Sequence, residues 1–443
     1  LPEKLENNQS SIINLYNHAT VSLKESVFVL LLISQFFSLM GTWTQATAQR
    51  WLMLEMTNST FYVGVMGAVA GLPFLLFSFF GGWLSDKVPR VKVLFGSQSI
   101  ILVQSFIFGM LVIWQEYLTI SVFLTLVFVF TTAMSFEVPA RQALMYEIVG
   151  RKFISNALGL HSIVFNLAQI IGPAIAGYLL QHKIAEYSFF FKSLTTVFVL
   201  LIIIQMGRRL NSTIKQIEVE EKQDDSEKNS KKHYSMKDVI KIANKNPLIR
   251  TVLLILLIFS LFVTPYGILI PSLCRDVLML GAKEYGYISG SVGAGACFAA
   301  LLLTAFSQHK GDIGDRKAWW MLGIFIYPVS MILVSFSSGF WDTLFYIFLA
   351  GMAGIFTANS SISLLQVSVE DAYRGKIMGL FTMCFMGFFP LGSIGLGMIA
   401  QEISLRKTFL LCGVFSMLIV LVSLRYMNKE LKNEHKGDSH ANL

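Results

Sequence analysis

Charge is scarce in this sequence. Only 14% of the 443 residues are Asp, Glu, Lys or Arg, whereas a soluble domain carries roughly 25%, and 54% are hydrophobic. Water is therefore not the main solvent of the fold. Cysteine is rarer still. Cys274, Cys297, Cys384 and Cys412 lie in or beside apolar runs without CxxC spacing, which argues against a disulfide framework or a zinc ribbon and leaves them as small buried apolar side chains. A GxxxxGK[ST] loop, an HExxH helix, a GxSxG elbow and paired carboxylates within one apolar run are all missing. Neither nucleotide hydrolysis nor other enzyme chemistry is expected, and no metal or cofactor.

What is abundant is apolar length. Phe alone occurs 37 times and the mean hydropathy is +0.61. About 20 apolar residues are needed to cross a bilayer, and charges at mid-span are costly, so runs free of charge are the natural unit to count. Twelve occur, at 26–49, 56–85, 93–115, 117–136, 153–182, 193–207, 251–274, 285–309, 318–341, 343–369, 377–401 and 408–424. The sixth is short, and Tyr187 to Phe191 extend it if Lys192 snorkels to the interface. The first is too long for a signal-peptide core, so no cleavable signal is expected.

Most of the 35 Lys and Arg fall between runs on one side of the membrane. The excess places both termini in the cytoplasm, and the net charge of +8 calls for no nucleic-acid partner. The chain divides into a tail (1–25), a six-span half (26–207), a polar linker (208–247), a second six-span half (248–427) and a tail (428–443). The linker run IEVEEKQDDSEKNSKKH cannot bury enough apolar surface to fold alone, while SMKDVIKIANKNPLIR has helical apolar spacing suited to a membrane surface. At an offset of 220 residues Gly159 pairs with Gly379, Gly172 with Gly392 and Gly177 with Gly397. Six spans plus six, with repeated glycines, predict an all-α membrane protein of two pseudo-symmetric six-helix bundles, with a substrate site between them.

The loop GGWLSDKVPRVK between the second and third runs resembles the major facilitator signature G-x-x-x-D-(R/K)-x-x-R, carried by Gly82, Asp86, Lys87 and Arg90. Gly82 is expected to permit close helix approach, and Asp86 to accept hydrogen bonds at a neighbouring helix start. The resemblance implies that the loop latches one conformation. A merely basic loop is the plainer alternative. The matching loop of the second half, HKGDIGDRKAWW, keeps Asp312, Asp315 and Arg316 in altered spacing.

A longer likeness covers residues 36–400. The strings GTWTQATAQRWLMLEMTNSTFYVG, LPFLLFSFFGGWLSDK, EVPARQALMYEIVGRKFISNALGL and NLAQIIGPAIAGYLL resemble the branch of the major facilitator superfamily that contains enterobactin exporters and related bacterial efflux proteins. LLQVSVEDAYRGKIMGL fits the same branch's turn between the tenth and eleventh helices and adds Arg374 to the latch. Gly172, Pro173 and Gly177 resemble the G-P-x-x-x-G element of antiporters in this superfamily. Here a proline that removes a backbone bond and two small residues suit tight packing against the opposing half, although a simple packing kink has the same composition.

Proton coupling needs ionisable groups at membrane depth. Glu137 is the most nearly embedded acid and His161 the deepest histidine. Glu137 and Arg141 share a helical face if the helix continues through Pro139, as a coupling pair or as a structural one. His161 is either a coupling group or a locally satisfied one. The first run holds no Asp or Glu, where many proton-coupled relatives carry an acid. Polar residues that would line a cavity are Gln45, Gln49, Asn166, Gln169, Asn359 and Tyr266, the last following Pro265 where a broken helix would expose carbonyls.

The expectation is a monomeric transporter of the bacterial inner membrane that exports an amphiphilic small molecule, such as a siderophore or a drug, in exchange for protons. The rivals are a lysophospholipid transporter of the same superfamily and, from another class, a receptor or scaffold acting through the linker.

Overall fold

A computed structural model describes residues 26–220, 244, 246–306, 313–369 and 371–441, and every regular element among them is helical. The tail at 1–25, all but the first four residues of the charged linker run, most of the expected surface helix and Asp312 lie outside the described residues.

Twelve helices are long and apolar enough to cross a membrane: α1 (Val27–Thr57), α2 (Thr60–Lys87), α3 (Arg90–Ile113), α4 (Ile120–Gly150), α5 (Asn156–Gln181), α6 (Glu186–Arg209), α7 (Pro247–Ile268), α8 (Ala282–Phe306), α9 (Gly314–Ser335), α10 (Phe340–Val367), α11 (Lys376–Glu402) and α12 (Leu405–Met427). α4 and α5 follow without a loop. They are two helices that meet at a kink at Gly150, whose φ of 70° and ψ of 173° suit glycine alone. α4 continues through Pro139, because neighbouring helices can satisfy the backbone groups that a membrane proline frees. α7 changes at Pro265 into a 3-10 turn over Thr264–Ile268, and α11 contains a π segment at Met383–Gly387.

The described residues gather into two compact units. One lies within Leu1–Ala46 and Pro73–Asn229, the other within Thr47–Leu72 and Ser230–Leu443. Without a hydrophobic drive between helices in lipid, small residues decide where backbones touch. In the first unit Gly172 of α5 packs against α1, where an added Cβ would lie 2.9 Å from the Met40 carbonyl. In the second, Gly392 of α11 packs against α7, where a Cβ would lie 2.8 Å from the Ser260 carbonyl. Gly172 and Gly392, one of the three pairs at the 220-residue offset, thus occupy equivalent joints. α3 packs on α4 and α6 in one unit, and α9 on α10 and α12 in the other, which repeats the order again.

The second unit also takes in the ends of α1 and α2. Thr60 Oγ1 donates to Ser272 Oγ at 2.9 Å, and the Thr60 amide to Gln401 Oε1 at 3.0 Å. Arg275 Nη1 donates to the Leu54 carbonyl at 3.1 Å, and Trp51 stacks on Tyr285 with ring centroids 5.3 Å apart. These contacts form a seam between residues 47–72 and the C-terminal helices.

Candidate functional site

α1 carries a polar stripe. At 100° per residue, Ser34, Ser38, Thr42 and Gln45 fall on one side of the helix, and each meets a different part of the first unit. Arg141 Nη1 of α4 donates to Ser34 Oγ at 3.2 Å. Gln98 Nε2 of α3 donates to Ser38 Oγ at 3.1 Å. Lys192 Nζ of α6 donates to the Ser38 carbonyl at 3.0 Å and to Thr42 Oγ1 at 3.1 Å. Gln45 accepts from Ser105 Oγ at 2.8 Å and donates to Gln104 at 3.4 Å.

Three charges lie along this stripe. Glu137 is 3% exposed and Arg141 6%, and the guanidinium donates from Nε at 3.2 Å and Nη2 at 2.5 Å to a single carboxylate oxygen, Oε1. The other oxygen, Oε2, is buried without a hydrogen-bond partner. Lys192 is fully buried, which corrects the expectation that it snorkels. Gly41 is the reason: a Cβ there would stand 2.9 Å from Lys192 Cδ, so the missing side chain makes room for the stem. Acceptors on α1 and the Phe130 ring, 5.8 Å from Nζ, receive the ammonium inside. Two cations and one anion thus sit in the interior of the unit, with His161 of α5 half-buried against Gln35 at 2.6 Å.

The loop signature is arranged differently from its sequence reading. The close approach belongs to Gly81, where a Cβ would lie 2.6 Å from the Ser135 carbonyl of α4, and not to Gly82, where a Cβ would meet open space. Gly82 lies one residue, or 100°, further round the helix and misses the contact. Asp86 is exposed, without a side-chain partner among the described residues. Lys87 lies over Trp83, 4.7 Å from the ring centroid. Arg90 ties the start of α3 to α4 through Glu147, at 2.5 Å. The sequence reading missed Glu147 and Lys192. The side chain of Arg374 lies outside the described residues.

The G-P-x-x-x-G element also needs a correction. Gly172 packs on α1 of its own half, not on the opposing half: an added Cβ would meet Trp43 Cβ at 2.6 Å, and Thr44 Oγ1 donates to the Gly172 carbonyl at 3.1 Å. Pro173 and Gly177 are buried on the same helix. Of the cavity candidates, Gln45 and Asn166 are buried in the first unit, and Gln169 is half-buried there. In the second, Gln49 and Tyr266 are buried and Asn359 is exposed. Tyr266 sits in the 3-10 turn, 6.3 Å from the ring of Tyr327.

The family described as "Transmembrane secretion effector", a branch of the major facilitator superfamily, matches residues 18–442. The chain belongs to it. The chain is 21% identical to the staphyloferrin A transporter of Staphylococcus aureus over 412 residues, spanning 92% of this chain and 98% of that protein. It is 21% identical to macrolide efflux protein A of Streptococcus pyogenes over 389 residues, or 86% of this chain and 91% of that protein. In fold it is similar to the nucleoside transporter NupG (TM-score 0.67, 13% identity, 91% of this chain and 99% of that one). A POT family transporter is similar too (TM-score 0.67, 9% identity, 91% and 96%). The chain is an integral membrane transporter, not an enzyme.

Proposed function

We propose that this transporter exports an amphiphilic small molecule, siderophore-like or drug-like, from the cytoplasm across a bacterial inner membrane in exchange for protons. Similarity to a siderophore transporter and a macrolide efflux protein along most of the chain supports the substrate class. Coupling rests on one observation: the interior of the first unit holds Glu137, Arg141 and Lys192, and charges kept at membrane depth are costly and therefore mark function. A charge falling through 100 mV supplies about 2.3 kcal/mol, which sustains roughly a fiftyfold gradient. The bundles 26–207 and 248–427 rock to expose the substrate site alternately to each side, the seam opens for release, both termini face the cytoplasm and the monomer suffices.

The test is proton movement in inverted vesicles carrying a pH-sensitive dye, challenged with siderophores, cationic drugs, a macrolide and lysolipids. Proton release from the vesicle lumen on adding a siderophore or drug is expected. Transport of lysolipid alone would replace this reading with a lipid transporter. Uptake of a drug or siderophore into the vesicles without proton movement would leave export standing and remove the coupling.

A further inference from the structure

We propose that Lys192 is the side chain that carries the coupling proton, with Glu137 and Arg141 as its fixed electrostatic surroundings. The inference rests on the coupling reading above and goes beyond it by naming the group. Glu137 is committed elsewhere. Both hydrogen bonds from Arg141 fall on its Oε1, so neutralising Glu137 strands a buried guanidinium. Arg141 itself remains protonated in proteins. Lys192 has no such partner: among the described residues its Nζ makes no ion pair, and its two acceptors, the Ser38 carbonyl and Thr42 Oγ1, are both neutral.

Neutral acceptors suit a group that must exist in two states. As ammonium, Nζ carries three hydrogens, of which two go to Ser38 and Thr42 while the third adjoins the Phe130 ring. As amine it keeps two hydrogens for the same two acceptors. One proton leaves to water on one side of the membrane and one is taken up from the other, so the cycle returns Lys192 unchanged and no acceptor is stranded at either stage. The site is shaped for this side chain: Gly41 admits the stem.

The charged groups in range of Nζ are Glu137 and Arg141, both on α4. α1 and α3 contribute only Ser38, Thr42 and Gln98, and His161 on α5 lies in the field of Arg141. Arg141 is joined to Ser34, one turn along α1 from Ser38, so α1 touches both Lys192 and the ion pair carried by α4. α1 continues into the seam at Trp51 and Leu54. Proton loading is thereby linked to seam opening.

Thr60 provides a readout that needs no substrate, because it is 7% exposed with the seam closed. In the full chain with its native cysteines replaced by alanine, Thr60→Cys would be labelled by a maleimide in proteoliposomes across a pH series, each rate divided by that of an exposed reference cysteine. One linked proton changes a two-state equilibrium by up to about tenfold per pH unit, so the normalised rate should vary severalfold. Lys192→Arg is permanently charged and Lys192→Gln permanently neutral; both should abolish the dependence, fixing the rate near opposite limits. A pH response that survives in both Lys192 variants, with both shown to be folded by thermal melting, overturns the assignment while leaving coupling intact. A parent with no pH response, together with vesicles that transport without proton movement, overturns the coupling reading as well. Rescue by Arg, with loss only in Gln, assigns Lys192 a fixed-charge role and also overturns the proposal.

Discussion

Arg141 holds Glu137 and Ser34 in one geometry, with both charged partners out of water. Removing one member of a buried ion pair typically costs about 3–5 kcal/mol, because the survivor is left uncompensated, whereas replacing both with apolar residues is often close to neutral. Glu137→Leu is therefore expected to lower the melting temperature in detergent strongly. Glu137→Leu combined with Arg141→Leu should recover most of the loss, and a double mutant as unstable as the single one would contradict the pairing. This pair was legible in the sequence because its two members stand one helical turn apart. Lys192 was not. It lies six residues into α6, close enough to the helix start for water to seem within reach, and the acceptors that turn it inward, the Thr42 hydroxyl and the Ser38 carbonyl, are 150 and 154 residues away in the chain. The small-polar pattern Ser38, Gly41, Thr42 on α1 was the available signal. Glu147 escaped for the same reason: Arg90 reaches it across 57 residues, and no local spacing joins them.

At the scale of elements, hydropathy located all twelve helices, since a bilayer leaves the backbone few alternatives. Their contacts were less legible. Gly81 and Gly82 are indistinguishable by composition, yet only Gly81 faces α4. Gly81→Ala should cost about 1–3 kcal/mol through overpacking. Gly82→Ala, with open space for its methyl and a gain in helix propensity of about 1 kcal/mol, should be neutral or stabilising. Comparing the two melting temperatures decides which glycine carries the joint; equal losses would sink the distinction. Gly150 is a second such point. Its dihedrals join α4 to α5 in a region other residues enter at a cost of about 1–3 kcal/mol, so Gly150→Ala should destabilise although it removes no contact. A melting temperature unchanged by that substitution would mean that the joint adopts another conformation in solution. The glycine repeat, by contrast, was visible as bare spacing, and its physical content is the equivalent contact of Gly172 on α1 and Gly392 on α7.

For the whole molecule, the scarcity of charge that marks the sequence as a membrane protein also makes each interior charge informative, and it leaves polar contacts to hold the seam. Thr60, Ser272 and Gln401 meet there through hydrogen bonds between neutral groups. Such bonds are worth only about 0.5–1.5 kcal/mol each, a strength suited to a contact that must break in every cycle. The proposed alternating access requires that opening. In a chain whose four native cysteines are replaced by alanine, Thr60→Cys with Ser272→Cys would bring two sulfurs to positions whose hydroxyl oxygens now lie 2.9 Å apart. Oxidation should cross-link them and reduce transport of the vesicle substrate to background, and a reductant should restore it. The single-cysteine variants should transport normally under the same oxidant. If the cross-linked protein, shown by gel shift to be fully oxidised, still carries substrate, then residues 47–72 need not separate from the C-terminal helices, and rocking about this seam is not the transport motion.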